Sequence, residues 1–259
     1  MNTCRHNNKN YNLNVASYTK EENFLDEFVA KGYVFLENVV NLDYDHRSRS
    51  EYSRIKSMDT IENFFPDNPE YFQIYNSFKR SKIFNLLQDN LTNLRLYNFM
   101  CFRLYKGNEC SSLHRDDDFA ITYTLKTPFV ICWMPLTDVS IAAGPLAIAG
   151  RTETKYTQHD IQEGEKYVQR YLKNNNVAEN INGIRSAMLK EKDYKISVHR
   201  DFDTLISRNL KKGDVVVMNH DIVHGSLDNN NLIRSSIDLR LFYNCDPTNN
   251  LLKRASLET

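Results

Sequence analysis

Short apolar segments of strand-like composition, in two groups, constrain the fold of this chain more than any other feature. The first group runs from about residue 94 to 146 and the second from 213 to 244. Turn-forming residues such as Lys106-Gly107-Asn108 and Ala143-Gly144-Pro145 separate the segments within a group. The segments are LRLYNFMCFRLY, AITYTL, PFVICWMPL, PLAIAG, GDVVVMNHDIVHG and IRSSIDLRLFYN. This pattern predicts an all-β core, which we expect to be a double-sheet jelly roll with helices packed outside it.

The rest of the chain surrounds this core. Residues 20–95 are mostly helical in pattern, with a first helix that ends at Gly32 and is followed by a short strand. Residues 1–18 are rich in asparagine, and we expect them to be flexible. The charged stretch 152–208 predicts helix or loop and contains no chemical motif. We therefore expect one domain over 1–259, with the jelly roll at 96–245 and an insertion at about 152–208.

Composition argues against nucleic acid and membrane partners and indicates the cellular location. The 33 Lys and Arg residues balance the 33 Asp and Glu residues, so no broad electrostatic attraction to nucleic acid or to a membrane is expected. The N-terminus is too polar for a signal peptide, and no apolar run is long enough to span a bilayer. The 5 cysteines are odd in number and show no CxxC spacing, which is typical of reduced thiols and predicts a cytoplasmic protein.

A histidine and a carboxylate lie two residues apart in Leu113-His114-Arg115-Asp116. Residues at this spacing on an extended segment point to the same side, so His114 and Asp116 can converge on one metal ion. The spacing also occurs by chance, and a lone pair of this kind is more often structural or solvated.

A second histidine site follows in GDVVVMNHDIVHGS, residues 213–226. It consists of a turn, an apolar strand and then His224. A distant histidine combined with a His-X-Asp pair makes a triad that leaves adjacent coordination positions open, as Fe(II) oxygenases require. His220 is the rival ligand because it shares a strand face with His224. The two would lie roughly 13 Å apart on a regular strand and could not bind one ion without a bend. We favour His224 because of the residues that follow it.

Arg234 lies ten residues after His224, at the start of the next strand. An oxygenase that consumes 2-oxoglutarate needs a fixed cation for the remote carboxylate, and the planar guanidinium of arginine pairs with a carboxylate through two hydrogen bonds. Arg240, on the same strand face, is the alternative anchor. The simpler interpretation of Arg234 is a surface residue of a strand.

The order and spacing of these motifs resemble the phytanoyl-CoA dioxygenase-like family of Fe(II)/2-oxoglutarate-dependent oxygenases. The matching segments are FVAKGYVFLENVV, LHRDD, CWMPLTDVSIAAGPLAIAGRT, GDVVVMNHDIVHGS and IRSSIDLRLFY. The block Ala149-Gly150-Arg151-Thr152 departs from the family's usual P-G-S-H at positions that are structural. The resemblance implies a double-stranded β-helix (a cupin-like jelly roll) with flanking helices.

The resemblance also implies that His114, Asp116 and His224 are the iron ligands and the catalytic centre. Arg234 matches the arginine that binds the far carboxylate of 2-oxoglutarate. Ser226 and Trp133 match positions that contact this co-substrate, although a turn hydroxyl and a core indole are equally simple interpretations.

The expected reaction consumes 2-oxoglutarate and O2, releases succinate and CO2, and hydroxylates an unactivated carbon of a small molecule such as an amino acid or a specialised metabolite. Halogenating relatives lack the carboxylate that Asp116 supplies, which favours hydroxylation. Arg103 and Tyr105 share one face of the strand that leads into the site, and Thr122 shares a face with Thr124 after it, so these residues are candidates for substrate contacts. Two alternatives stay open: a metal-binding jelly roll without turnover, and an oxygenase that acts on a peptide or another macromolecule.

Overall fold

The computed structural model of the chain describes residues 3–6, 9–42, 60–64, 69–97, 100–105, 111, 113–116, 127–151, 202–230, 232–246, 248 and 256–258. For residues 60–64, 105 and 256–258 it describes the backbone alone.

This part of the chain contains three α-helices, of which the first ends as its sequence predicts. The helices are α1 (Phe24–Lys31), α2 (Pro69–Lys79) and α3 (Lys82–Asn90). Gly32 caps the end of α1 with a φ of 79°, a left-handed conformation that glycine adopts without steric cost. Ser81 begins α3, because its hydroxyl accepts a hydrogen bond from the Phe84 amide at 3.3 Å.

The strands described form two sheets. They are β1 (Thr3–His6), β2 (Lys9–Val15), β3 (Tyr33–Leu36), β4 (Thr60–Phe64), β5 (Arg95–Tyr97), β6 (Met100–Tyr105), β7 (Phe129–Pro135), β8 (Leu146–Arg151), β9 (Thr204–Ser207), β10 (Val215–Asn219), β11 (Ile222–Ser226), β12 (Arg234–Phe242) and β13 (Ser256–Glu258). The smaller sheet has the order β1-β2-β9-β8-β11. The larger sheet has eight strands in the order β13-β5-β12-β7-β10-β3, with β6 paired to both β12 and β4.

The larger sheet is buried on both faces, which explains why its strands have almost continuous apolar sequences. One face packs beneath the helices through Val130, Cys132, Met134, Val215, Val217, Ile237, Leu239 and Leu241. The other face packs against the smaller sheet through Phe129, Ile131, Trp133, Val216, Met218 and Phe242. Neighbours in sequence alternate between the two faces, as the pleat of a strand requires. Each fully buried aliphatic or aromatic side chain contributes about 1.5–3 kcal/mol relative to exposure.

The predicted fold class is confirmed: two curled sheets form a jelly-roll core with helices on the outer face of one of them. No helix among the described residues is long and apolar enough to cross a membrane. The single-domain organisation stays a prediction, and the predicted strand AITYTL lies outside the described residues.

Four strands differ from the sequence-based expectations. Residues 1–18 were expected to be flexible, but β1 and β2 form in this segment, because Cys4 and Tyr11 pack against Leu205 in a small apolar cluster. The mainly helical section at 20–95 contains β4, which pairs with β6.

The predicted insertion at 152–208 contains β9, which pairs with β2 in parallel and with β8 in antiparallel orientation. Residues 152–201 lie outside the described part of the chain. Short strands such as β9 have too few residues for alternation to be recognised in the sequence.

Candidate metal centre

His114 and His224, the two histidines of the predicted triad, lie side by side although they are far apart in the sequence. His114 and His224 form an antiparallel bridge, in which each amide donates to the other's carbonyl at 2.8 and 2.9 Å. His224 belongs to β11, where the pairing with β8 shifts register between Val223 and His224. The backbone itself therefore fixes the two histidines beside each other, with ring centroids 4.5 Å apart.

Asp116 completes a compact group of ligand atoms. Its Oδ1 atom lies 3.4 Å from Nε2 of His114 and 3.9 Å from Nε2 of His224. The ligand atoms of the three side chains all lie within 4.8 Å of one another. Bonds from first-row metals to imidazole nitrogen and carboxylate oxygen are about 2.0–2.2 Å long, so atoms of this spacing can share one ion after small adjustments.

The histidine of β11 is held in the form that binds a metal. Its Nδ1 atom lies 3.0 Å from the carbonyl of Ile222, which sets the tautomer and leaves Nε2 to face Asp116. Burial, together with the adjacent His114 ring, lowers the pKa of His224 to about 3. The imidazole is therefore neutral near pH 7, and its lone pair is available for coordination.

The two oxygens of Asp116 have different surroundings. Oδ2 accepts hydrogen bonds from Nε and Nη2 of Arg240, the first at 3.0 Å. Oδ1 is buried and accepts no hydrogen bond in the structure, although it faces both histidines. Burial alone would raise the pKa of Asp116, but the Arg240 charge and the nearby imidazoles lower it well below its ordinary value. An ionised buried oxygen aimed at two imidazoles fits a divalent cation.

A chain of alternating charges continues behind Asp116. Nη2 of Arg240 also donates to Oδ2 of Asp238 at 3.3 Å, and Nε of Arg103 lies 3.5 Å from Oδ1 of Asp238. Arg240, the alternative anchor for 2-oxoglutarate, is thus engaged with two carboxylates. Asp238 was missed by sequence reasoning; its position two residues before Arg240, on the same strand face, was the available signal.

A cavity opens beside the two histidines. Among the described residues, those that line it are Arg103, Ser111, His114, Trp133, Leu146, Met218, His224, Gly225, Ser226, Arg234 and Asp238. Both predicted co-substrate contacts, Ser226 and Trp133, are in this set, and so are Arg234 and Arg103. The apolar residues Leu146 and Met218 were not singled out in the sequence, because a core aliphatic carries no chemical signature.

Arg234 and Ser226 are each held by backbone groups. Nη1 of Arg234 donates to the carbonyl of Gly144, and only 3% of the residue is exposed. The Ser226 hydroxyl accepts a hydrogen bond from the Ser111 amide at 2.7 Å, and the Ser226 carbonyl lies 2.7 Å from Nδ1 of His6. The N-terminal strand β1 therefore supports a residue of the cavity wall, which the sequence did not indicate.

The remaining predicted residues lie elsewhere or are not fully described. His220 lies in the turn between β10 and β11, with its ring 5.3 Å from that of Phe129, and does not belong to the triad cluster. The chain bends at this turn, so His220 and His224 do not share one strand face as the sequence suggested. Tyr105 pairs with Arg234 through the backbone, and Thr122 lies outside the described residues.

A jelly roll with two histidines and one carboxylate at a cavity between its sheets defines the class of mononuclear metal-dependent oxygenases. The family model described as Phytanoyl-CoA dioxygenase (PhyH) matches residues 68–235, more than half of the chain. The chain belongs to this family and is an Fe(II)/2-oxoglutarate-dependent oxygenase, as the motifs predicted. No curated protein sequence matches it significantly.

Solved structures share the fold at low sequence identity. The non-heme alpha-ketoglutarate-dependent epimerase SnoN from nogalamycin biosynthesis is 14% identical, with a TM-score of 0.57 over 86% of this chain and 80% of SnoN. HygX from Streptomyces hygroscopicus, with nickel and 2-oxoglutarate bound, is 14% identical, with a TM-score of 0.52 over 88% of each chain. EvdO2 from Micromonospora carbonacea var. aurantiaca, complexed with 2-oxoglutarate, is 12% identical, with a TM-score of 0.53 over 94% of this chain and 99% of EvdO2.

Proposed function

We propose that this oxygenase hydroxylates an unactivated carbon of a small molecule, with conversion of 2-oxoglutarate and O2 to succinate and CO2. The observation that carries the proposal is that His114 and His224 of the triad line the same cavity, between the two sheets, as Arg234.

In this proposal His114, Asp116 and His224 hold iron(II) through Nε2, Oδ1 and Nε2. When bound, iron(II) supplies the redox chemistry that couples decarboxylation of 2-oxoglutarate to oxidation of a C–H bond. The burial of Asp116 and His224, 1% and 5% exposed, keeps both ligands fixed and desolvated.

Arg234 is the proposed anchor of the co-substrate. It lines the cavity and carries a buried positive charge oriented by the Gly144 carbonyl, so its guanidinium can bind the far carboxylate of 2-oxoglutarate. Ser226 and Trp133 line the same cavity and would contact the body of the keto acid. Leu146 and Met218 would then form an apolar part of the cavity wall that contacts the substrate.

A small-molecule substrate is supported by the neighbouring solved structures. One HygX structure contains hygromycin B, and one SnoN structure contains nogalamycin RO. We infer that the substrate is a specialised metabolite or an amino acid. We expect no nucleic acid or membrane partner. The balanced charge of the chain is consistent with this. The expected cytoplasmic location is part of the same proposal.

The test is turnover under labelled oxygen. The purified chain, given Fe(II), 2-oxoglutarate, ascorbate, chloride and a panel of metabolites, should form succinate faster with one class of metabolite. Its product should gain one labelled oxygen atom and no chlorine. His114→Ala serves as the matched inactive control.

Other results would contradict the proposal. Bound iron without succinate formation would indicate a metal-binding protein without turnover. A product of unchanged mass would indicate epimerisation, the activity named for SnoN. A chlorinated product would overturn both the hydroxylase function and the assignment of Asp116 as a ligand.

A further inference from the structure

Arg240 is the largest fully buried side chain of the described core, with 1% of the residue exposed. It contacts one of the proposed iron ligands, Asp116, and a second carboxylate, Asp238. It is not among the described residues that line the cavity. A guanidinium buried this deeply and held by two carboxylates is fixed in position. It can therefore fix the position of the Asp116 carboxylate in turn.

Both donors that Arg240 directs at Asp116 reach the same oxygen. Nε and Nη2 donate to Oδ2, whereas Oδ1 faces Nε2 of His114 and of His224. A carboxylate whose second oxygen is occupied in this way has one oxygen left for a metal. A free carboxylate could use both oxygens and would then take an additional coordination position.

The number of open positions decides whether the proposed reaction can occur. Two histidines and one carboxylate oxygen leave three adjacent positions of an octahedral ion. Chelated 2-oxoglutarate would need two of them and O2 the third, so a carboxylate bound through both oxygens would displace one reactant.

We propose that Arg240 is a positioning residue that restricts Asp116 to coordination through Oδ1 and thereby keeps three positions of the metal open. This inference rests on the proposed function. Asp238 orients Arg240 from the other side, because it lies two residues earlier on the same face of β12 and accepts from the same Nη2 atom at 3.3 Å. Arg103, 3.5 Å from the other oxygen of Asp238, extends this support to the cavity wall.

Three variants test the inference by metal binding and by spectroscopy. Arg240→Met removes the positive charge and both hydrogen-bond donors to Asp116. Arg240→Lys keeps the charge but has a single donor group. Asp238→Asn keeps Arg240 but weakens the contact that orients it. Arg234→Lys is the matched control, because it alters an arginine of the same strand that lines the cavity. Each is titrated with Fe(II) without oxygen, and then with 2-oxoglutarate at saturating Fe(II).

We expect Arg240→Met to keep its Fe(II) binding or to tighten it, because Oδ2 of Asp116 is then free to coordinate and a positive charge beside the ion is removed. At saturating Fe(II) it should nevertheless diminish the visible charge-transfer absorption that arises when a keto acid chelates iron. Arg240→Lys and Asp238→Asn should fall between this variant and the parent protein. Arg234→Lys should weaken 2-oxoglutarate binding and leave Fe(II) binding within about 3-fold of the parent, because the hydrogen bond described for Arg234 goes to the Gly144 carbonyl and Arg234 is outside the cluster of candidate ligands.

Unchanged charge-transfer absorption in the Arg240 variants would overturn the inference while leaving the proposed function standing. Loss of thermal stability alone, with this absorption intact, would do the same, since it would show a structural role. If Arg240→Met does not fold, Arg240→Lys and Asp238→Asn decide the matter by the same readout. Failure of the parent protein to bind Fe(II) or to form succinate would instead contradict the proposed function.

Discussion

The two strands that frame the candidate metal centre contribute to it in different ways. β11, five residues long, supplies the candidate ligand His224 and the cavity residue Ser226. β12, nine residues long and buried throughout, supplies Arg234, Asp238 and Arg240, none of which belongs to the metal cluster. One strand therefore presents ligand atoms, whereas the other presents fixed charges. We therefore expect the charges of β12 to determine how the proposed ligands and the co-substrate are held.

The largest expected effect comes from removing the ligand that connects the two strands. Asp116→Ala should abolish Fe(II) binding and, in the metal-free protein, lower the free energy of unfolding by about 3 kcal/mol. This is the low end of the cost of breaking a buried ion pair, because Arg240 retains Asp238 as a partner. His224→Ala should also abolish Fe(II) binding but destabilise less, because it leaves no buried charge uncompensated. Urea denaturation of both metal-free variants measures the difference.

A double variant sharpens this prediction. Replacing Arg240 by Met in the Asp116→Ala background should recover part of the lost stability, because it removes the charge left without its ligand partner. Equal destabilisation by Asp116→Ala and His224→Ala, with no recovery in the double variant, would contradict the view that β12 carries the electrostatic balance of the site.

The next effect separates co-substrate binding from metal binding. Arg234→Leu should weaken 2-oxoglutarate binding by roughly 30-fold or more, since loss of a buried charge-assisted carboxylate pair costs ~2–5 kcal/mol. Fe(II) affinity should change little. Calorimetry at saturating Fe(II) measures the 2-oxoglutarate constant. If that constant is unchanged, the anchor is another residue.

The smallest effect concerns the support of β11 by the N-terminal strand. His6→Ala removes a buried hydrogen bond of 2.7 Å to the Ser226 carbonyl and should lower the free energy of unfolding by about 1–3 kcal/mol. Because Ser226 lines the cavity, 2-oxoglutarate binding should also weaken, by less than about 10-fold. Arg5→Ala is the matched control on the same strand, since its ion pair with Asp228 is long, at 4.0 Å, and mostly exposed. Equal effects of the two substitutions would contradict the proposal that His6 supports the cavity wall through Ser226.

The sequence predicted the parts of the molecule that depend on local patterns. Gly32 predicted the end of α1, and the family resemblance of the motifs around His114 and His224 predicted the three side chains that the structure brings together. Contacts that depend on the third dimension could not be predicted. Arg240 contacts Asp116 across 124 positions of the chain, and His6 reaches Ser226 across 220. The asparagine-rich composition of residues 1–18 concealed the alternation of buried Cys4 and His6.

The account depends most on His224, and not His220, as the distal ligand. Anaerobic titration with Fe(II), of the parent protein and of the two single alanine variants, tests this directly. The structure places His220 in a turn beside Phe129 and His224 opposite His114. We therefore expect His220→Ala to bind one equivalent of Fe(II) like the parent, and folded His224→Ala to bind none. Loss of Fe(II) binding in His220→Ala, with retention in His224→Ala, would contradict the account.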